Sequence, residues 1–266
     1  MSEDYELNRI FKETWFNDNI GSDYIYHFTS IDSLIKILLT DIFRLSLVER
    51  MNDINESQPI HKKFGFKLDK SDLEIIKKKE EEIRSRTFLG CFNILQEGEN
   101  IRDKVSMWGH YGDSCKGVCL KIDKKKLDEL LFKKIYDIKN DAVECKVHIN
   151  KFKIKYKKQT DIDKEKKNYL IHNEDVFNLN YINLKRMFQS KSEDWKVENE
   201  FRYLIYNADF DKFKYFNIEN FSECINSIYI GDMQDEQSLS LLKSIKEKLA
   251  SSITFYIWEE NMEREF

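Results

Sequence analysis

Residues 24–39 read YIYHFTSIDSLIKILL, and this stretch constrains the fold more than any other. YIYHF is aromatic and β-branched, as strands are. Thr29 or Ser30 can then cap a helix, because Ile31, Leu34, Ile35, Leu38 and Leu39 recur at helical spacing. Further runs follow the same two periods. IFRLS (42–46), TFLGCF (87–92), GVCLKID (117–123), EFRYLIY (200–206), INSIYIGD (225–232) and ITFYIWE (253–259) read as strands. Residues 5–16, 69–86, 105–112 and 233–249 read as helices, the second of them charged and mostly solvated. Residues 49–57 read as a loop. In 124–190, KKKLDELLFKKI looks helical, ECKVHI and FKIKYKK alternate, and 164–188 reads as one long helix. Strands and helices interleave without a βαβ rhythm. The expectation is one α+β domain over 1–266, with a central, mostly antiparallel or split sheet and a helical, lysine-rich insertion at about 124–190.

The chain has 266 residues, 41% of them hydrophobic, so it can bury a sizeable core. Lys and Arg number 44 against 48 Asp and Glu, a net charge of −4 that excludes a general affinity for polyanions. The start, MSEDYELNRIFKETWF, lacks the basic-then-apolar order of a signal peptide, and no run approaches ~18 apolar residues. Five cysteines without such a signal point to reduced thiols in a cytoplasm, and no membrane partner is expected.

No G-x-x-x-x-G-K or G-x-G-x-x-G occurs, which removes the commonest phosphate loops. Cys115, Cys119, Cys145 and His148 have zinc-ligand chemistry but loose spacing, and Cys119 sits inside a strand, so no metal is assigned. Nothing local marks a cysteine as a nucleophile. His27 ends an aromatic strand just before a helix cap, where it can serve a ligand at the helix N-terminus or hold the turn. SMWGHYGDSCKG places Trp108 and Tyr111 three apart on a helix, as a clamp for a planar ring or as core. DWKVENEFRY (194–203) places Glu198 and Glu200 on one face of a strand, with Arg202 beyond them. Two adjacent carboxylates push their pKa values apart. Otherwise the three form an exposed, salt-bridged stripe, worth ~0–1 kcal/mol per pair.

Six motifs occur in order: YHFTS (26–30), MNDINE (51–56), GCFN (90–93), MWGHYGDSCKGVCLKID (107–123), W-x-x-E-x-E-F-R (195–202) and SIYIGD (227–232). Together they resemble the bacterial domain of unknown function numbered twenty-nine seventy-one, over about residues 24–232. The chain departs from that pattern twice. NDINE replaces N-D-P-F-E, and CFN replaces C-F-S, so that Asn93 stands for a hydroxyl. The order of parts is also similar to that of ADP-ribosyltransferases. That resemblance implies NAD as substrate, Glu200 as the catalytic carboxylate, and Glu198 orienting or deprotonating the acceptor. Arg202 would support the pair, and His27, Thr29, Ser106, Trp108 and Tyr111 would line the NAD pocket. The acceptor would be protein, nucleic acid or, in a glycohydrolase, water. A toxin or phage-defence role would suit such chemistry. The alternative is a non-catalytic module holding a nucleotide or nucleic acid on Trp108, Tyr111 and the strip 150–158, with Lys153, Lys155 and Lys157. A third option is a nuclease built on Asp53, Glu56 and the two glutamates, which would need Mg²⁺.

Overall fold

A computed structural model describes residues 15, 21–51, 70–141, 147–172, 181–207, 215–259 and 262–266. The protein is α+β with a large, mostly antiparallel sheet. The chain divides into two compact units. The first takes Met1–Phe43, Phe92–Tyr136 and Asn217–Phe266, and the second takes Arg44–Cys91 and Asp137–Phe216.

In the first unit, strand β1 (Tyr24–Thr29) pairs antiparallel with β4 (Val118–Asp123) over its whole length, from Tyr24↔Asp123 to Thr29↔Val118. Next come β10 (Ile225–Ile230), antiparallel to β4, then β11 (Thr254–Glu259), parallel to β10. β12 (Met262–Glu265) follows antiparallel to β11, a strand beyond the last one expected. Helix α1 (Ile31–Thr40) begins as the sequence indicates. Of the two candidate caps it is Ser30 whose Oγ accepts from Ser33 N at 3.2 Å. The helix buries Leu34, Ile37 and Leu38 and stops at Asp41, which adopts the left-handed conformation at φ 53°.

Successive β1 side chains alternate between sheet faces. Tyr26 and Phe28 join Cys119 and Tyr229 in one cluster with Ile101, Met107 and Trp108 from the segment that covers that face. His27 points the other way, its ring 4.9 Å from Phe43 and 5.7 Å from Phe92. Beyond the short helix α3 (Val105–His110), Asp113, Ser114 and Cys115 are all left-handed, with φ of 51°, 54° and 67°. Such residues are strained and persist only where surroundings over-determine them. Here Gly117 donates to Gly112 O at 2.8 Å, and Gly231 donates to Gly117 O at 3.0 Å. A Cβ on Gly117 would stand 2.2 Å from the carbonyl oxygen of Thr29, which is backbone and cannot step aside. Gly117→Ala is therefore expected to cost about 1–3 kcal/mol or more. Urea unfolding checks this, and an unchanged midpoint would show that the turn has room.

In the second unit, β5 (Val147–Lys153) pairs antiparallel with β8 (Glu200–Asn207) along seven residues, from Val147↔Asn207 to Lys153↔Phe201. All of β8 is buried, as befits a strand flanked on both edges; its other neighbour is β3 (Thr87–Asn93). β6 (Lys155–Lys157) and β7 (Ser190–Ser192) form a separate parallel pair. The segment 124–190 thus carries strands as well as helices. The long helix read over 164–188 is instead α5 (Gln159–His172) and α6 (Tyr181–Phe188), with 173–180 outside the described residues. Helix α2 (Lys70–Arg86) is less solvated than its charge suggests. Ile76 and Ile83, one heptad apart, are buried with Leu89, Phe152, Leu204 and Tyr206, and Lys79, Glu80 and Arg84 are buried too. The helix expected at 5–16 lies outside the described residues except for Trp15, whose indole donates to Asp128 O at 3.2 Å. No helix among the described residues is long and apolar enough to cross a membrane.

Candidate functional site: a buried carboxylate pair

The motif around Glu198 and Glu200 does not form one continuous strand. Residues Glu193–Glu198 make a 3-10 turn, opened by Ser192, whose Oγ accepts from Asp194 N at 3.4 Å. Asn199 closes it in the left-handed conformation at φ 43°, and β8 begins at Glu200. Asn is among the few non-glycine types that adopt this conformation readily, because its short amide bonds locally. The two carboxylates are therefore not set side by side by strand alternation.

They are brought together by a residue the sequence reading missed. Lys191, on β7, donates from Nζ to Glu198 Oε2 at 2.6 Å and to Glu200 Oε2 at 3.3 Å. Its ammonium also stands 4.9 Å from the Trp195 ring centre, a cation–π contact. Arg202 grips Glu200 with both arms of its fork, Nε to Oε1 at 2.5 Å and Nη2 to Oε2 at 3.0 Å. Its Nη1 reaches Phe188 O at 3.2 Å. Tyr156 of β6 accepts from Glu200 N at 2.8 Å, and the Cys91 thiol donates to the Glu200 carboxylate.

The exposed stripe is thereby ruled out: Glu198 is 3% exposed, Glu200 4%, Arg202 0% and Lys191 5%. Ion pairs at such burial are governed by desolvation as much as by attraction. Two carboxylates, one ammonium and one guanidinium balance in charge. Burial alone would raise the Glu200 pKa. Together the Arg202 charge and hydrogen bonds, the Lys191 charge and the Cys91 thiol outweigh it, and the value falls to about 2. The Tyr156 phenol moves the opposite way, raised chiefly by burial.

A depressed carboxylate pKa stabilises the fold above the unfolded value, about 4.3 for Glu, and the contribution is lost as pH falls through the folded value. Stability is thus expected to drop between about pH 4.5 and pH 2. Unfolding measured across that window should show the drop, and Glu200→Gln should flatten it. An equal slope in both proteins would place the acid sensitivity elsewhere.

In the first unit the expected NAD lining is divided. His27 and Thr29 lie on one face of the sheet, because β1 alternates there. Trp108 packs edge-on against Phe28 of the opposite face, ring centres 5.0 Å apart. Trp108 is 4% exposed and its Nε1 donates to Ile101 O at 2.9 Å, so it is a core residue and not a clamp. Tyr111 borders the same cluster, and Ser106 is exposed on α3. Asn93, in place of the hydroxyl, donates to Met107 Sδ at 3.7 Å.

The basic strip is not uniform. Lys153 and Lys155 are exposed, Lys151 is buried, and Lys157 is paired with Glu165 at 2.5 Å. Asn52, Asp53, Glu56 and Cys145 lie outside the described residues. Cys91, Cys115, Cys119 and Cys224 are free thiols, and burial pushes that of Cys119 well up. Among the described residues no three His, Cys, Asp or Glu side chains cluster as metal ligands.

Residues 107–203 match the family described as Protein of unknown function (DUF2971). The matched stretch opens at Met107, beside the strained turn of the first unit. It closes at Tyr203, just past the carboxylate pair, so it takes in Lys191, Glu198, Glu200 and Arg202. Comparison with curated proteins and with solved structures gave no match, so no likeness to ADP-ribosyltransferases comes from either.

Proposed function

We propose that the chain cleaves the N-glycosidic bond of NAD and passes the ADP-ribosyl group to an acceptor, with Glu198 and Glu200 at the centre of the chemistry. The observation that supports this most is that both carboxylates meet at one ammonium in a desolvated site, with Glu200 held ionised at neutral pH. As the bond from the ribose C1′ to the pyridinium nitrogen breaks, its electron pair leaves with nicotinamide. Positive charge then grows on the sugar. A fixed anion in a low-dielectric site favours that charge without reorganising. A carboxylate with a pKa near 2 is a poor base at neutral pH, so the part of Glu200 is electrostatic. Glu198 takes the proton of the acceptor O–H as oxygen bonds to C1′. With water as acceptor the products are ADP-ribose, nicotinamide and a proton.

Trp108 is withdrawn from the ligand set. The test is an NAD-induced thermal shift measured beside nicotinamide release, for the full chain and for Glu198→Gln. The proposal expects a shift in both proteins and release in the first alone. A shift without release in either would leave a nucleotide-binding module and overturn the catalytic assignment.

A further inference from the structure

We infer that the β6–β7 pair and the last turn of α6 form a binding surface for the phosphate backbone of a nucleic acid, centred on Lys155 and Lys185; that this nucleic acid is also the acceptor rests on the NAD reading above.

Two stretches of the second unit carry cations and no acid. Residues 151–158 read KFKIKYKK and residues 185–191 read KRMFQSK, seven lysines and one arginine between them. The whole chain has a net charge of −4, so affinity for a polyanion has to come from a local excess such as this one. The parallel pairing of β6 with β7 sets the two stretches side by side, Lys155 beside Ser190 and Lys157 beside Ser192. Three of the cations are used within the fold. Lys151 and Lys191 are buried, and Lys157 pairs with Glu165. Lys153, Lys155, Lys158, Lys185 and Arg186 have no carboxylate partner among the described residues, and all but the half-buried Lys185 are exposed.

Lys155 and Lys185 act on each other directly. The Lys185 ammonium stands 5.8 Å from the centre of the Phe152 ring. Burial and then the Lys155 charge lower its pKa, and no carboxylate offsets that repulsion. A bound phosphate would relieve it, since lysine meets phosphate as a point charge. Five such cations offer more charge than one phosphate group needs, whereas a nucleic-acid backbone supplies phosphates in a row. The surface also adjoins the carboxylate pair. Ile154 N donates to Glu200 O at 2.9 Å, and the Tyr156 hydroxyl accepts from Glu200 N at 2.8 Å. Lys155 lies between these two residues, so a backbone held by it is held beside Glu200, where an acceptor has to be.

The experiment uses full-length protein and a fluorescein-labelled DNA duplex of mixed sequence, with anisotropy followed from low to high salt and no NAD present. The wild type should bind, and its affinity should fall as salt rises. Lys155→Gln/Lys185→Gln should weaken binding about tenfold or more at low salt, and should lower the slope of log affinity against log salt by about 1 for each lysine. Lys243→Gln/Lys248→Gln removes the same charge from exposed positions of the helix Glu236–Leu249 and should change neither. If the variant at the half-buried Lys185 does not fold, Lys155→Gln alone carries the test, with half the change in slope. No binding by the wild type, or equal losses in the two double variants, would overturn the inference. So would an NAD-induced thermal shift that Lys155→Gln/Lys185→Gln abolishes in a protein that binds no DNA, since the lysines would then serve the dinucleotide. Binding through these lysines by a protein that releases no nicotinamide would bear out the surface, and the NAD reading would fall by itself.

Discussion

Replacing Arg202 with leucine is expected to destabilise the protein by about 3–5 kcal/mol, the cost of breaking a buried ion pair on one side. The guanidinium is fully buried in the second unit and supplies two hydrogen bonds to Glu200 and one to Phe188 O. Without it two buried carboxylates share one ammonium. Against a total stability of roughly 5–15 kcal/mol that loss is large. Removing both partners is a different matter. Arg202→Leu/Glu200→Leu keeps the pair of Lys191 and Glu198, 2.6 Å apart. The double variant should therefore recover most of the loss, because apolar replacement of a whole buried pair is often neutral. Urea unfolding of the two singles and the double gives the coupling directly. Additive losses would mean that the contacts between these side chains contribute little.

The second large effect falls on activity. Glu200→Gln keeps the shape of the side chain and removes its charge. If that charge faces the developing cation, nicotinamide release should fall by about 10²–10³-fold, the range for losing one preorganised electrostatic contact. The same change leaves Lys191 and Arg202 with Glu198 alone, so the rates belong at a temperature where unfolding curves show the variant folded. A variant that is folded and fully active would remove Glu200 from the chemistry and leave it a structural role.

The sequence was most legible where local signals agreed. Strand β1, the Ser30 cap and helix α1 follow one another as their residue types dictate, and β8 is a run of strand formers. The opposite facing of His27 and Trp108 was legible only by half. Period-two alternation separates residue 27 from residues 26 and 28, but which of those faces Trp108 covers is a tertiary contact. The centre itself was harder to see. Glu198, Glu200 and Arg202 do come together, but through a 3-10 turn and a left-handed Asn199 where strand alternation was expected. The signals for that turn, a Ser192 cap followed by acidic residues and then Asn199, are weak beside the strand pattern of EFRYLIY. Lys191 gave no signal, since one lysine among 44 basic residues does not stand out. Its role comes from the β6–β7 pairing, a tertiary contact. Helix α2 was misjudged for a related reason: burial of Glu80 and Arg84 depends on what packs against them, and charge alone argues for solvent.

The most direct measurement is release of nicotinamide from NAD by the purified full-length protein at neutral pH, followed beside Glu200→Gln. The account predicts release by the wild type and its loss in the variant. No release by the wild type, with no thermal shift on adding NAD, would contradict it and leave the buried charges around Lys191 as a device of folding alone.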